Sequence, residues 1–340
     1  MIDVFAIGST TFDNFLEIDS KTMFWDKVPS QKALVFPFGE KIEIKNIYSF
    51  IGGNSANASI TFSRQGFKTG CVAKIGKDIW ADFILKKLIA EKVNIKFILQ
   101  EKNIQTAYSI LLLQNGERTI LSYHGASNYL KLNDLNLNQL KSKWWYVSLS
   151  GQSYKIFNSL VNFAYKNNIA LAFNPSGFHL IKDKESILKN LEKISVLILN
   201  EEEASVLTGI SWQKEKEVFK KLDKLMPGIL IVTGGKKGAT ISDGKYVYRS
   251  GIFKEKKLID RTGAGDAYGS GFISGLMHKN IGFKNIGDIK PEDVLYAIKL
   301  AAANSTAVIE HIGASVGSLT FNQFKQEKRF KNLKVKIEKI

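Results

Sequence analysis

The sequence predicts a three-layer α/β fold with a mostly parallel central sheet and helices on both faces. Two observations predict it. Short apolar runs end in Gly, Asn or Ser, and helical patterns separate them; the runs cover residues 4–8, 146–149, 169–173, 196–200 and 229–233. This alternation is typical of βαβ units, in which helices cover a parallel sheet. Ligands of such sheets bind beyond the carboxyl ends of the strands, so we expect functional motifs just after strands.

Length and composition indicate one continuous domain. The chain has 340 residues, of which 44% are hydrophobic, and its five prolines are scattered without a Gly/Ser linker. We predict a single domain over residues 1–320, followed by a Lys-rich tail or last strand over 321–340. The single cysteine, the acidic start and the lack of a run of about 20 apolar residues predict a cytoplasmic protein without a membrane partner.

The net charge of +16 raises the question of a nucleic-acid partner. Only five of the 48 basic residues are Arg, the side chain that makes bidentate contacts to bases and phosphates. The lysines are dispersed, and the chain is also rich in Ile, Asn and Phe. We therefore attribute the charge to overall composition and predict no nucleic-acid partner.

Two stretches break the α/β alternation. Strand-like runs at 109–114 and 117–124 flank Asn115 and Gly116, a strong hairpin signal, and residues from about 17 to 50 are strand-like as well. Together they predict a small antiparallel sheet that stands off the main one, with lid segments near 14–50 and 97–125. Such a lid can close over a pocket and exclude water, and His124 within it could face the substrate. The alternative is an edge hairpin without a function.

The stretch DRTGAGDAYGSG, from Asp260 to Gly271, carries the clearest chemistry. It is not a dinucleotide loop, because Tyr268 stands where the third glycine is required. We expect Gly263 to Gly265 to lie at the N-terminus of a helix, where unpaired amides and the helix dipole attract an anion. An acid in the first turn, such as Asp266, is ordinary capping chemistry. Beside an anion cradle, however, it suits phosphoryl transfer to a hydroxyl.

Two motifs carry a resemblance to a known family. Residues 260–267, DRTGAGDA, resemble the D-x-T-G-A-G-D signature of the ribokinase, or pfkB, family of carbohydrate kinases. Residues 52–58, GGNSANA, resemble its other signature, a glycine pair followed four residues later by Asn. The resemblance covers residues 3–320 and implies a ribokinase-like fold with a small β-sheet lid. It also implies an ATP-dependent, magnesium-requiring kinase that acts on a sugar or sugar-like molecule.

The resemblance also implies roles for particular residues. The general base is Asp266, and the anion hole consists of Gly263, Ala264 and Gly265. The substrate-binding residues are Asp13, Gly52, Gly53 and Asn57. In many relatives, positions matching Asp260 and Thr262 hold a monovalent cation such as K⁺, with carbonyls from residues 311–313.

The nucleotide side of the predicted site has two parts. Asn200 and Glu203 match an N-x-x-E motif that holds magnesium and phosphate through water, although a helix capping box alone explains their spacing. Thr233, Gly235 and Gly238 resemble the family's nucleotide loop, for which a plain turn is the alternative. The residue that binds adenine cannot be assigned within 297–309, because Asn304 does not align without a gap.

The chain departs from ribokinases proper in two places and from many relatives of the family in a third. Asn54 replaces a Lys of the glycine-pair motif, residues 148–152 lack the acid found on a middle strand, and Arg261 replaces a small residue or Thr. A nucleoside kinase of the same fold therefore remains an alternative, and a non-catalytic sugar-binding protein is a further one. Because no Lys or Arg lies in the glycine-pair motif, a phosphosugar substrate is disfavoured. Lids of this family often pair between subunits, which implies a homodimer.

Overall fold

The computed structural model of the chain describes residues 1–18, 27–28, 31–32, 36, 38–114 and 117–340. The strands are β1 (Val4–Gly8), β2 (Thr11–Ile18), β3 (Lys27–Val28), β4 (Gln31–Lys32), β5 (Ile44–Gly52), β6 (Thr69–Gly76), β7 (Ile98–Glu101), β8 (Ala107–Gln114), β9 (Glu117–Tyr123), β10 (Trp144–Ser148), β11 (Ala170–Phe173), β12 (Val196–Asn200), β13 (Ile229–Thr233), β14 (Ala239–Ser242), β15 (Tyr246–Ser250) and β16 (Val335–Lys339). The helices are α1 (Asn54–Arg64), α2 (Ile79–Ala90), α3 (Phe157–Lys166), α4 (Gly177–Asn190), α5 (Glu201–Thr208), α6 (Glu215–Asp223), α7 (Ala264–His278), α8 (Pro291–Val308) and α9 (Phe321–Gln326).

The central sheet is mostly parallel, as the sequence predicts. Its order is β16-β15-β14-β13-β12-β11-β10-β1-β6-β7, and every pair from β13 to β7 is parallel. The last three strands pair antiparallel at one edge. Strands β1, β10 and β11 are buried along their whole length, which is expected where helices cover both faces of a parallel sheet.

Two large hydrophobic clusters lie on the two faces of this sheet. On β10, Trp144 and Tyr146 belong to one cluster, whereas Trp145 and Val147 belong to the other. This division follows from the alternation of side chains along a strand. Helices α1, α7 and α8 contribute to the first cluster, and α3 to α6 contribute to the second. The predicted three-layer arrangement is therefore confirmed.

Helices α7 and α8 pack closely because α7 has glycines at the contact. A β-carbon at Gly275 would lie 2.4 Å from Cα of Ala297, and one at Gly271 would lie 3.0 Å from Cα of Ala301. No side chain fits at such distances without a shift of backbone. Glycine at these two positions therefore allows the two helices to approach closely.

The small separate sheet has the order β5-β2-β8-β9. One prediction about it was wrong: β2 and β8 pair in parallel, so the sheet is mixed, while β5 and β9 pair antiparallel to their neighbours. The reason is that β2 follows β1 and β8 follows β7 after short connections. Both strands therefore leave the parallel sheet at the carboxyl ends of its strands and enter the lid in the same direction. The predicted hairpin turn at Asn115 and Gly116 lies outside the described residues, as does most of 19–35.

The last twenty residues contain regular structure. Helix α9 is followed by β16, which pairs antiparallel with β15 at the edge of the central sheet. The sequence left open whether residues 321–340 form a tail or a last strand, and the structure shows a last strand. Among the described helices, none is both long enough and apolar enough to cross a bilayer.

Candidate active site

The turn before α7 is shaped by the close approach of another segment. Gly263 is the N-cap of α7 and has φ 79°, a left-handed conformation that glycine adopts without strain. A β-carbon there would lie 2.2 Å from the carbonyl oxygen of Ala314 and 2.7 Å from its Cα. Only glycine therefore allows the segment around Ala314 to pack against this turn, and the turn directs the first amides of α7.

The amide end of α7 opens onto a cavity. Gly265 is exposed, and no described atom lies within 4 Å of the position that its β-carbon would take, apart from its chain neighbours and its own helix backbone. Ala264 and Gly265 line a mostly apolar cavity of about 290 Å³. The first N–H groups of a helix lack intrahelical acceptors and carry the positive end of the helix dipole. The amide of Ala264 donates to the carbonyl oxygen of Arg261 at 3.3 Å, so the bare amide that an anion in this cavity can approach is that of Gly265.

Asp266 lies in the first turn of α7 and contacts the glycine-pair motif. Its Oδ2 accepts a hydrogen bond of 2.9 Å from Nδ2 of Asn57, in the first turn of α1. Burial raises the pKa of Asp266 to about 6, and the hydrogen bond from Asn57 partly offsets the rise. Oδ1 of Asn57 is buried and has no hydrogen-bond partner in the described part of the chain.

The predicted substrate residues lie together at the base of the lid. Asp13 on β2 is buried, and its carboxylate rests against the backbone of Gly52, where a β-carbon would lie 1.9 Å from Oδ2. Thr11 donates a 2.8 Å hydrogen bond to Oδ1 of Asp13. Burial raises the pKa of Asp13. Gly53 has φ 88° and begins α1, so one short segment links the Asp13 pocket to Asn57 and Asp266.

The predicted nucleotide loop lines the same cavity as the start of α7. Thr233, Gly235 and Gly238 contribute to its wall. Gly238 has φ 89°, and a β-carbon there would lie 1.9 Å from the carbonyl oxygen of Ser250, so the loop is also the tight connection between β13 and β14. The loop thus has the geometry of a plain turn and also lines the cavity, and its binding of a nucleotide stays a prediction.

The opposite wall of this cavity was not identified from the sequence. It contains Ile252, Phe253, Leu258, Ala302, Ser305, Thr306 and Ile309. The four positions on α8 and its end are spaced three, one and three residues apart, which is one helix face, and that spacing is the signal that could have found them. Asn304 points elsewhere: it is fully buried, donates to the carbonyl of Ala267 at 2.9 Å and accepts from the amide of Leu319 at 2.8 Å.

Asn200 and Glu203 form a capping box at the start of α5. The amide of Glu203 donates to Asn200 Oδ1, and the amide of Asn200 donates to Glu203 Oε2, both at 2.8 Å. Neither residue lines the cavity beside Gly265, but β12 pairs with β13 so that Asn200 lies opposite Thr233. Burial raises the pKa of Glu203, and the negative charges of Glu202 and Asp266 add to the rise.

Asp260 organises the turn that leads into α7. Its buried Oδ1 accepts from the amide of Thr262 at 2.9 Å and from its hydroxyl at 2.7 Å. Its Oδ2 accepts from the amide of Gly313 at 3.4 Å. No ion pair of Asp260 is present among the described residues, and that part of the chain has no cluster of three or more His, Cys, Asp or Glu that could hold a metal.

A second, open cleft of about 720 Å³ lies beside the lid. Its lining combines amides, aromatic rings and hydroxyls without any Lys, Arg, Asp or Glu: Asn103, Ile104, Gln105, Ser122, Tyr123, His124, Gly125, Asn128 and Tyr129. Asp13, Ser109 and Ser122 are direct partners on three adjacent lid strands and so share one face. Two strand spacings, about 10 Å, therefore separate Asp13 from this cleft.

Comparisons with known proteins find relatives of the whole chain. The model of the pfkB family of carbohydrate kinases matches residues 15–320. The chain is 25% identical over 290 residues to an ATP-dependent 6-phosphofructokinase of Thermoanaerobacterium thermosaccharolyticum, which covers 82% of this chain and 85% of that protein. It is 23% identical over 284 residues to a nucleoside kinase of Methanocaldococcus jannaschii, with coverages of 83% and 86%.

Solved structures show the same fold. A ribokinase from Giardia lamblia superimposes with a TM-score of 0.78 at 20% identity, covering 95% of this chain and 97% of that one. A ribokinase of Arabidopsis thaliana, solved with ribose and ATP, gives a TM-score of 0.74 at 20% identity over 97% and 99% of the two chains. The family match spans most of the chain, and both signature motifs meet at Asp266. The chain therefore belongs to the pfkB family of carbohydrate kinases, the ATP-dependent kinases that its motifs predict.

Proposed function

We propose that the protein transfers the γ-phosphoryl group of ATP to a hydroxyl of a sugar or sugar-like small molecule. The observation that carries the proposal is the position of Asp266, between Asn57 of the substrate side and the open amides of Gly265 on the cavity side. A carboxylate whose pKa lies near 6 is ionised at neutral pH and is still basic enough to accept a proton.

Each residue group has one part in the proposed reaction. Asp13 and Asn57 hold and orient the sugar hydroxyls, and Gly52 and Gly53 let the ligand approach the backbone. Asp266 removes the proton of the reacting hydroxyl while the oxygen of that hydroxyl forms a bond to the γ-phosphorus. The bond between that phosphorus and the bridging oxygen breaks, and ADP leaves. The amides of Ala264, Gly265 and Asp266, beyond the Gly263 cap, stabilise the charge on the transferred group.

The nucleotide would occupy the cavity between the Thr233 to Gly238 loop and α8. Its apolar wall, with Phe253 and Ala302, suits a planar base, whereas its polar end at Gly265 suits phosphates. Asn200 ends the strand next to this loop, and Glu203 lies in the first turn of the helix that follows, where carboxylate and amide oxygens fit magnesium held through water. Magnesium, when bound, neutralises charge on the phosphates.

Asp260 is the proposed centre of a monovalent cation site. It is a buried carboxylate that has hydrogen bonds but no ion-pair partner among the described residues, and buried charges are normally paired. Thr262 and the backbone of residues 311–313 would complete the site. A cation such as K⁺ here would steady the turn before α7.

A nucleoside kinase is the second candidate, and the open cleft beside the lid favours it. Tyr123 and Tyr129 are about half exposed on its wall, at 50% and 40%, and amides surround them. A base attached to a sugar that is held by Asp13 would reach this cleft, stack on aromatic rings and hydrogen-bond to amides. The absence of Lys and Arg from its lining disfavours a phosphorylated sugar.

The predicted pairing of lids between two subunits stays a proposal. Strands β5 and β9 are the outer strands of the described lid sheet, and they expose Ile44, Ile120 and Leu121. Exposed apolar edge strands favour association. Light scattering of the purified protein, compared with a variant carrying Lys at position 120, tests the proposal: a dimer that becomes a monomer supports it, and a wild-type monomer refutes it.

An ADP-release assay with ATP, magnesium and a panel of acceptors tests the proposed function. The panel contains free hexoses and pentoses, sugar phosphates and nucleosides. Release that depends on a free sugar supports the first candidate, and release that depends on nucleosides supports the second. If the protein binds sugars but none of the acceptors leads to release of ADP, it is a non-catalytic sugar-binding protein, and the kinase proposal fails.

A further inference from the structure

We propose that Phe50 is a positioning residue that couples the lid to the anion hole. It lies on lid strand β5 and packs against the segment that holds the turn before α7. The proposal rests on the proposed kinase function, since it concerns how the phosphoryl-binding amides are set. It assigns no contact of Phe50 with substrate or nucleotide.

On the lid side, Phe50 is tied to the substrate pocket. It is the direct antiparallel partner of Asp13 on β2, so the two side chains share one face of the lid sheet. It also stands two residues before Gly52, against whose backbone the Asp13 carboxylate rests. The Phe50 ring meets the buried ring of Phe15 edge to face at 5.7 Å between centroids. These contacts hold the ring in one place while β5 is paired.

On the other side, the ring lies directly against the backbone of Gly313. A β-carbon at Gly313 would be 2.9 Å from Cγ of Phe50 and 3.0 Å from its Cδ2. Gly313 also has φ 100°, a conformation that L side chains rarely adopt. The lid strand therefore reaches the 309–316 segment through one aromatic side chain, and glycine makes the contact possible.

From Gly313 two contacts lead to the anion hole. The amide of Gly313 donates to Oδ2 of Asp260, whose Oδ1 holds Thr262 through its amide and its hydroxyl. The next residue, Ala314, packs its carbonyl and Cα against Gly263, the N-cap of α7. Both ends of the turn that presents the first amides of α7 are thus in contact with Gly313, against which Phe50 packs, or with the next residue, Ala314.

This arrangement has a functional consequence. A displacement of β5 removes the support of Gly313 and Ala314, so the turn loosens and the amides no longer point together at one place. The amides are therefore aligned when β5 is seated, which is when Asp13 and Gly52 are in position for the acceptor. Phosphoryl transfer to water, without an acceptor, is disfavoured in the same way, because an anion hole must be preorganised to lower the barrier.

The test compares Phe50→Ala, Phe50→Leu and a matched control, Phe163→Ala. Phe163 is another half-buried phenylalanine, and its ring stacks on Trp145 at 5.7 Å, on α3 and away from the site. The measurements are kcat and KM for the acceptor, the Kd for ATP, and ATP hydrolysis without acceptor. Thermal melts check that each variant is folded.

We expect Phe50→Ala to lower kcat by about 10- to 100-fold, because small misplacements of catalytic groups have effects of this size. The Kd for ATP should stay near that of the wild type, Phe50→Leu should recover most of kcat, and Phe163→Ala should keep it. A folded Phe50→Ala variant with wild-type kcat overturns the coupling, as does a change confined to KM of the acceptor or the lack of recovery by Leu.

A second variant approaches the same contact from the other side. Gly313→Ala places a methyl group against the Phe50 ring and should also lower kcat, so a folded Gly313→Ala variant with wild-type kcat overturns the coupling if Phe50→Ala does not fold. Wild-type protein that phosphorylates no acceptor refutes the proposed function itself. An active wild type with unaffected Phe50 and Gly313 variants refutes only the coupling.

Discussion

Asn57 and Asp266 lie 209 residues apart in the chain, and a 2.9 Å hydrogen bond from Nδ2 to Oδ2 joins them. Each residue is in the first turn of a helix that follows a glycine with positive φ, Gly53 or Gly263. The two signature motifs of the sequence thus meet at one carboxylate. Burial raises the pKa of the proposed base, and the hydrogen bond from this amide partly offsets the rise.

The first prediction concerns the pH dependence of turnover. The pKa of Asp266 is about 6, so its carboxylate is ionised above that pH and protonated below it. A protonated carboxyl cannot accept a proton, so kcat/KM for the acceptor should fall as pH drops through about 6, with unit slope in log kcat/KM. A pH–rate profile at saturating ATP measures this.

Asn57→Ala extends that prediction. The hydrogen bond from Asn57 lowers the pKa of Asp266, so its removal should move the acid limb of the profile to higher pH. His278→Gln is a suitable control, because His278 lies at the far end of α7 and its profile should match the wild type. A limb that stays in place or moves to lower pH in Asn57→Ala contradicts the assignment of the limb to Asp266.

The second prediction concerns stability. The folded-state pKa of Asp266, about 6, exceeds the ordinary value of 3.8 for an aspartate, so the native state binds the proton more tightly than the unfolded chain. Stability is therefore lost as pH rises through this window, and Asp266→Asn should melt at a higher temperature than the wild type above about pH 6. Below about pH 4 the difference should disappear, since both states of the wild type are protonated.

Asp82→Asn is the matched control for this effect. Asp82 is exposed in the first turn of α2, where an acid interacts favourably with the helix dipole. Its replacement should lower the melting temperature slightly at neutral pH. If Asp266→Asn also melts lower than the wild type at neutral pH, the Asp266 carboxylate is stabilised by its surroundings, and the predicted burial effect is wrong.

The third prediction separates stability from activity at Gly265. An Ala at this position meets open space and is favoured in a helix by about 0.5–1 kcal/mol, so Gly265→Ala should be at least as stable as the wild type. Its methyl group, however, covers the amides that receive the phosphoryl group, so kcat should fall. Thermal melts and steady-state kinetics measure the two effects.

Two other glycines serve as controls. Gly177 begins α4 and also has open space around it, so Gly177→Ala should change neither property for the worse. Gly275→Ala should show the opposite pattern, with lower stability and a kcat near that of the wild type. Its methyl group meets Cα of Ala297, which should lower the free energy of unfolding by about 1–3 kcal/mol. If Gly265→Ala keeps the wild-type kcat, the amides at the N-terminus of α7 are not the anion hole.

The fourth prediction concerns the nucleotide cavity. Ala302 lines its apolar wall on α8, and a larger side chain there fills space that the base needs. Ala302→Leu should raise KM for ATP and leave KM for the acceptor near the wild-type value. Leu295→Met on the same helix is the control, and it should leave both KM values near those of the wild type. Ala303→Leu is not used, because Ala303 is fully buried. A change in acceptor KM alone contradicts the placement of the nucleotide.

Local patterns made much of the fold predictable. Buried parallel strands such as β1 and β10 are mostly apolar, and the glycines of α7 allow another helix to pack closely. The residues around Asp266 were predictable because two short motifs carry them. These signals are local in the chain, and each reports the conformation of its own segment.

Other features depend on contacts between distant segments. The parallel pairing of β2 with β8 follows from where two strands leave the central sheet, which no pattern within either strand encodes. The α8 face at the nucleotide cavity has small residues that suit helix packing equally well. The approach of Phe50 to Gly313 joins residues more than 200 positions apart, and neither residue belongs to a motif.

The most direct test of the account is the turnover of Asp266→Asn with the acceptor that the panel identifies. The isosteric amide keeps the contact with Asn57 but cannot accept the proton, so kcat should fall by about 10²–10⁴-fold while the Kd values for ATP and acceptor stay near those of the wild type. A folded Asp266→Asn variant whose kcat is close to that of the wild type would contradict the assignment of Asp266 as the general base.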